Sequence, residues 1–155
     1  MINNGQSGVR DTLKLMSDIT KQFKGSPAVR ELALRLTAGL PQKKWLAEVR
    51  AIHAFVRDQI RYVKDIRGIE TLQTPIQTLR LRAGDCDDKS ILAAVLLESI
   101  GHPTRFKAVG MSKGKFSHVF PETRIGGRWV SVECTEPVDV GWQLSGIAST
   151  MIHHN

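Results

Sequence analysis

The sequence predicts an α+β fold, on three observations. Apolar residues recur at helical spacing through the first hundred positions, and the period changes from 3.6 to 2 after Pro103. Gly126-Gly127 then stands between two of the resulting strands as a two-residue hairpin turn. Helices first and strands afterwards is the α+β order; strict alternation would have pointed to a parallel sheet. The chain has 155 residues, 41% hydrophobic and 24% charged, which is the length and composition of one globular domain.

The first helix carries Val9, Leu13, Met16, Ile19 and Phe23 and stops at Gly25. Ser26-Pro27, an N-cap with proline at the first helical position, opens a second helix through about Ala38, which Gly39 and Pro41 end. A third carries Trp45, Leu46, Val49, Ile52, Phe55, Val56 and Ile60 as one stripe. Residues 61–65 read as extended and 65–71 as a polar loop. Thr74-Pro75 opens a short helix that Gly84 is expected to end. A fifth helix runs from Asp85 to about Ile100, with Ile91, Leu92, Val95, Leu96 and Leu97 on a wide apolar face, and is the expected buried centre. Gly101 suits its left-handed C-terminal cap. Strands are predicted over 104–109, 116–121 and 128–134. The expected organisation is a single domain over 1–155: a helical N-terminal extension (1–44), a core (45–137) and a C-terminal tail (138–155) with little periodicity, its His153 and His154 at a mobile end.

Several function classes are disfavoured. No apolar run approaches the roughly 20 residues that cross a bilayer, and the N-terminus lacks the apolar region of a secretory signal. A cytoplasmic protein is the default expectation. Net charge is +7, but the 22 Lys and Arg residues are scattered, with Lys43-Lys44 as the longest block, so no nucleic-acid partner is expected. Cys86 and Cys134 are the only cysteines and form no C-x-x-C pair, which leaves each to be weighed as a thiol.

The chemistry concentrates in Gly84-Asp85-Cys86-Asp87-Asp88-Lys89. Asp85 is placed as N-cap of the fifth helix and Asp88 at N3, a capping-box arrangement that puts Cys86 at N1. The positive helix end stabilises a thiolate, and its free N–H groups can face an oxyanion. The neighbouring carboxylates oppose ionisation, so a cationic partner is required. Asp87 is expected to be solvent-facing or structural. A metal site from Asp85, Asp87 and Asp88 is disfavoured because adjacent residues at a helix start fan out around its axis. No cofactor and no metal are expected.

His118 is the only one of five histidines inside a predicted strand. If Gly126-Gly127 is the whole loop, Ile125 pairs with Arg128, and His118 and Glu133 share a face as diagonal neighbours. Period 2 places Trp129, Ser131 and Glu133 on one face and Val130, Val132 and Cys134 on the other, which makes Cys134 a core residue. Cys86 as nucleophile, His118 as base and Glu133 as orienting acid then form a triad for acyl transfer. The alternative is that Cys86 is a buried half-polar residue whose acids merely cap a helix.

GDCDD, SILAAVLLESIGHPTRF, FSHVF and WVSVE, in that order and with IRYVKD upstream, resemble the transglutaminase-like superfamily over roughly Trp45 to Pro137. The resemblance implies a papain-like α+β core with a Cys-His-Asp triad and is to proteins of bacterial or phage type, virion-associated where phage-encoded. Cys86 and His118 match the nucleophile and base; Glu133 stands where the family usually has Asp, with Glu136 as fallback. Gln73 and Gln77 are candidate oxyanion donors, Gln73 the freer of the two, and Trp129 is a candidate substrate contact. The implied function is hydrolysis or transfer at an amide, peptide or isopeptide bond through a thioester. The expected partner is a protein or peptide substrate, cell-wall peptide included, with no membrane. A catalytically inactive interaction or assembly module on the same fold is the alternative, favoured by Glu in place of Asp.

Overall fold

The computed structural model describes residues 5–64 and 72–155. The elements run α1 (Gln6–Phe23), α2 (Pro27–Leu36), α3 (Trp45–Gln59), β1 (Arg61–Tyr62), α4 (Pro75–Leu81), β2 (Ala83–Gly84), α5 (Cys86–Ser99), β3 (Thr104–Gly110), β4 (His118–Ile125), β5 (Arg128–Ser131) and β6 (Ser149–His154). The fold is α+β, a helical layer on an antiparallel sheet. The predicted loop at 65–71 lies outside the described residues.

α5 is the centre. Every residue from Cys86 to Leu97 is buried, so the helix is covered all round. Each Leu or Val side chain fully buried there contributes on the order of 1.5–3 kcal/mol. α1 and α2 supply Val9, Leu13, Met16, Val29 and Ala33 to the same apolar cluster as α5, so the N-terminal helices complete the core. α5 ends in a Schellman motif: the Gly101 N–H donates to the Glu98 carbonyl at 3.1 Å and the His102 N–H to the Leu97 carbonyl at 3.0 Å, with Gly101 at φ +94°.

The main sheet has the order β5-β4-β3-β6, all antiparallel. Gly126 and Gly127 take φ +58° and +79°, as a two-residue hairpin requires, and Ile125 pairs with Arg128 as the loop count demands. Phe106, Ala108 and Val119 face the helices. Lys107, Phe120 and Glu122 alternate onto the opposite face.

Ser26 is the N-cap and Pro27 opens α2 as read, without a side-chain hydrogen bond from Ser26. Three expectations need correction. α4 ends at Leu81, with Arg82 as a left-handed cap at φ +53°, and Gly84 instead pairs with Tyr62 in a short parallel ladder. β4 begins at His118 and continues to Ile125, because residues 111–117 form a tight connection closed by a bridge between Ser112 and Lys115. A Cβ on Gly110 would lie 1.6 Å from the Lys115 carbonyl oxygen. The tail is not loose: β6 pairs with β3 from Gly110↔Ser149 to Arg105↔His154, so His153 and His154 are strand residues.

Candidate functional site

Gly84 sits where a side chain has no room, since its Cβ would fall 2.7 Å from Asp88 Cβ. Asp85 is the N-cap in extended conformation, and its Oδ1 accepts from the Asp88 N–H at 3.0 Å. Asp88 Oδ2 accepts in return from the Asp85 N–H at 3.1 Å, and Oδ1 from the Gln73 N–H at 2.8 Å. Asp88 thus ties the segment before α4 to the start of α5. Of the two places expected for Asp87, solvent-facing or structural, the structure gives the second: it is buried. Its Oδ1 accepts from the Cys86 thiol at 3.6 Å.

Cys86 is 8% exposed at the first position of α5. Burial pushes its thiol well above the ordinary range, and Asp87 and Asp85 push it further, while a hydrogen bond from the Val119 backbone pulls it down. Burial, then Asp87 and Asp88, lift Asp85 to about 7. Burial also raises Asp87, with the Cys86 hydrogen bond and the charge of His118 opposing. The Cys86 thiol thus lies against the backbone of Val119, the residue that follows His118.

His118 opens β4, and its Nε2 lies 2.5 Å from Glu133 Oε2. Regular pairing ends at Glu122↔Ser131, but Val132 N–H still donates to the Pro121 carbonyl at 2.8 Å, which holds Glu133 diagonal to His118. Burial alone would raise Glu133. The hydrogen bond and charge of His118, with the Thr135 N–H donating to Oε1 at 2.8 Å, outweigh it and hold the carboxyl below its ordinary value. With Nε2 committed to a carboxylate it carries the proton, which leaves Nδ1 as the basic nitrogen.

A family model described as the transglutaminase-like superfamily matches residues 30–134, two thirds of the chain and all three of these side chains. The chain belongs to the transglutaminase-like superfamily. Two solved structures share the fold. One is "a Putative Cysteine Protease from Cytophaga hutchinsonii", 21% identical with a TM-score of 0.60, the match covering 86% of this chain and 48% of that one. The other is "a putative protease from Parabacteroides distasonis", 15% identical with a TM-score of 0.65, covering 83% and 26%. This chain therefore spans about half and a quarter of those lengths. No curated protein matches it.

Around the transglutaminase-like centre the remaining candidates separate. The Gln77 side chain is spent in the capping box of α4, accepting from the Thr74 N–H at 3.2 Å. Gln73 is anchored through its backbone to Asp88, and its Oε1 accepts from the Thr78 hydroxyl at 3.3 Å. Its amide NH2 is the remaining side-chain donor. Trp129 is not beside the thiol. Its ring lies under the Arg105 guanidinium at 4.4 Å and edge-on to His154 at 5.3 Å, lining a separate cavity. Cys134 is buried and its thiol donates to the Val132 carbonyl at 3.4 Å; burial pushes it well up, as the negative charge of Glu133 does. Glu136 is exposed. Among the described residues no group of three or more His, Cys, Asp or Glu could hold a metal ion, and none of the helices is long and apolar enough to cross a membrane.

Two residues that the sequence reading passed over also belong to the site. His53, buried in α3, donates from Nε2 to the Glu133 carbonyl at 2.7 Å. Burial lowers its pKa, which suits a neutral donor. Tyr62, the one tyrosine, pairs through β1 with Gly84, two residues before Cys86; burial, then Cys86, Asp85 and Asp87, raise its phenol. A signal for His53 existed, because it interrupts an apolar helical stripe.

Proposed function

We infer that the chain is a cysteine-dependent acyl-transfer enzyme that cleaves an amide, peptide or isopeptide bond. The observation that carries this reading is the 2.5 Å contact of His118 with buried Glu133, beside the backbone that touches the N1 cysteine of α5. Cys86 Sγ attacks the carbonyl carbon as its proton passes to His118 Nδ1, and Glu133 stabilises the imidazolium. The oxyanion takes hydrogen bonds from the Cys86 backbone N–H and the Gln73 amide. His118 returns the proton to the leaving amine, and a thioester on Cys86 remains. Water then attacks the thioester, giving its proton to His118 and restoring the thiol. Hydrolysis is the proposed outcome because the His118 side chain is 20% exposed, which admits water to the base.

The test is to incubate the protein with a mixed peptide pool and hydroxylamine. Peptidyl hydroxamates and a transient acyl adduct on Cys86, both lost in Cys86→Ala, are expected. Hydroxamate formation undiminished in Cys86→Ala would sink the reading. A second reading, a catalytically silent module, draws on the burial of the thiol and its two adjacent acids. It predicts that Cys86→Ala keeps the full biological role.

A further inference from the structure

The face of the sheet that carries Lys107, Phe120 and Glu122 holds a cavity of about 320 Å³, within the range of small-ligand sites. Trp129 and Arg128 of β5 form one wall, and the segment 141–147, with Trp142, forms the other. That second wall is pinned by Ser131. The Ser131 carbonyl accepts from the Gly141 N–H at 2.8 Å, and its hydroxyl donates to the Trp142 carbonyl. The walls are therefore joined by hydrogen bonds before any ligand enters.

The charge inside is unbalanced. Glu122, the one carboxylate of the lining, is held by Arg105 at 2.7 Å, and the Arg105 guanidinium sits over the Trp129 ring. That pair cancels. Lys107, its side chain 26% exposed, reaches the same carboxylate at 3.8 Å, and Arg128 stands on the rim, so two positive charges are in excess. Two cations over aromatic walls fit a side chain with a carboxylate and an apolar stem. The volume admits one or two side chains, whereas a nucleic-acid backbone needs an extended basic track.

The cavity also adjoins the reacting centre. Phe120 lines it, and the Phe120 ring centroid is 6.0 Å from that of His118, about two residues of extended chain. We propose that this cavity is the subsite for a glutamate- or aspartate-bearing stretch of the peptide substrate, next to the bond that is cut. The proposal rests on Cys86 and His118 being the reacting pair.

The experiment uses Cys86→Ala protein and the indole N–H signals of its three tryptophans. The probes are the tripeptides acetyl-Ala-Glu-Ala-amide, acetyl-Ala-Gln-Ala-amide and acetyl-Ala-Lys-Ala-amide. Saturable shifts at Trp129 and Trp142 with the Glu peptide are expected. Trp45, 52% exposed at the start of α3, should stay still. Binding of the Gln peptide should be at least tenfold weaker, and Arg128→Glu should abolish the preference. Lys107→Gln, the milder change, should reduce it. Equal shifts with all three peptides, or none at Trp129 and Trp142, overturn the proposal. Activity is judged separately: Glu-selective shifts beside a chemically silent Cys86 would keep the acidic-peptide site and remove the enzyme reading.

Discussion

Replacing Glu133 by Gln separates an orienting acid from a structural one. The native carboxylate accepts from His118 Nε2–H at 2.5 Å and from the Thr135 N–H at 2.8 Å, with the Thr135 side chain as a further partner. Glutamine has one oxygen. If that oxygen stays on the Thr135 N–H, its NH2 faces Nε2, which must then accept, and the ring proton moves to Nδ1. The base toward the thiol is lost. If the amide flips, two N–H groups oppose each other at Thr135. Either way a buried charge-assisted hydrogen bond disappears, worth about 1.5–3 kcal/mol, or a factor of roughly 10–150 in rate at neutral pH. The assay needs no substrate: iodoacetamide alkylation of Cys86 and Cys134 is followed by peptide mapping from pH 5 to 9. In the wild type Cys86 should label faster than buried Cys134. In Glu133→Gln the Cys86 rate should fall by that factor near pH 7 and stay below the wild type across the range, because burial keeps the unaided thiol from ionising there. Glu133→Asp, which keeps the charge on a shorter arm, should fall between them. A Glu133→Gln profile that superimposes on the wild type refutes the reasoning.

Gly84→Ala should cost roughly 2–4 kcal/mol of stability, from overpacking against Asp88 Cβ and a strained capping box, read as a lower urea midpoint. His53→Phe strands the buried Glu133 carbonyl and should cost about 1–3 kcal/mol; it should also slow Cys86 alkylation, with His53→Gln recovering part of both, and a wild-type midpoint and rate would count against the contact. Asp85 titrates at about 7 folded and near 3.8 unfolded, so between those values the native state holds a proton that the unfolded chain has lost, and stability falls as pH rises through that window. Asp85→Asn, which can still cap the helix, should therefore gain on the wild type from about pH 4 to 7 in urea melts; a constant difference would contradict the shift.

The parts of the fold that were legible in the sequence are those set by local chemistry. The capping box of α5 follows from Asp85 and Asp88 three residues apart, and the β4–β5 register follows from counting two glycines. What stayed hidden was set by distant partners. β6 reads STMIHH, and of these side chains only Met151 packs on the core, so the strand owes its place to pairing with β3. The start of β4 depends on the close approach of Gly110 and Lys115. His53 meets Glu133 across 80 positions. Asp87 is buried because α5 is enclosed on all sides, including the turn that ordinarily faces water.

That enclosure changes the meaning of the carboxylates around Cys86. On an exposed helix start they would be screened, and the helix end would dominate the thiol. Here Asp85 and Asp88 are spent on backbone N–H groups, and Asp87 accepts the thiol itself. All three hold their protons more tightly than usual. Asp85, lifted to about 7, is partly protonated near neutral pH, which reduces the negative charge that faces the thiol. The activating charge must still come from outside the helix. His118 can supply it only as an imidazolium, and Glu133, buried and held low, is the group positioned to stabilise that form. In the proposed mechanism the acids at the helix start fix where the sulfur sits, while the pair on the strands determines whether it ionises.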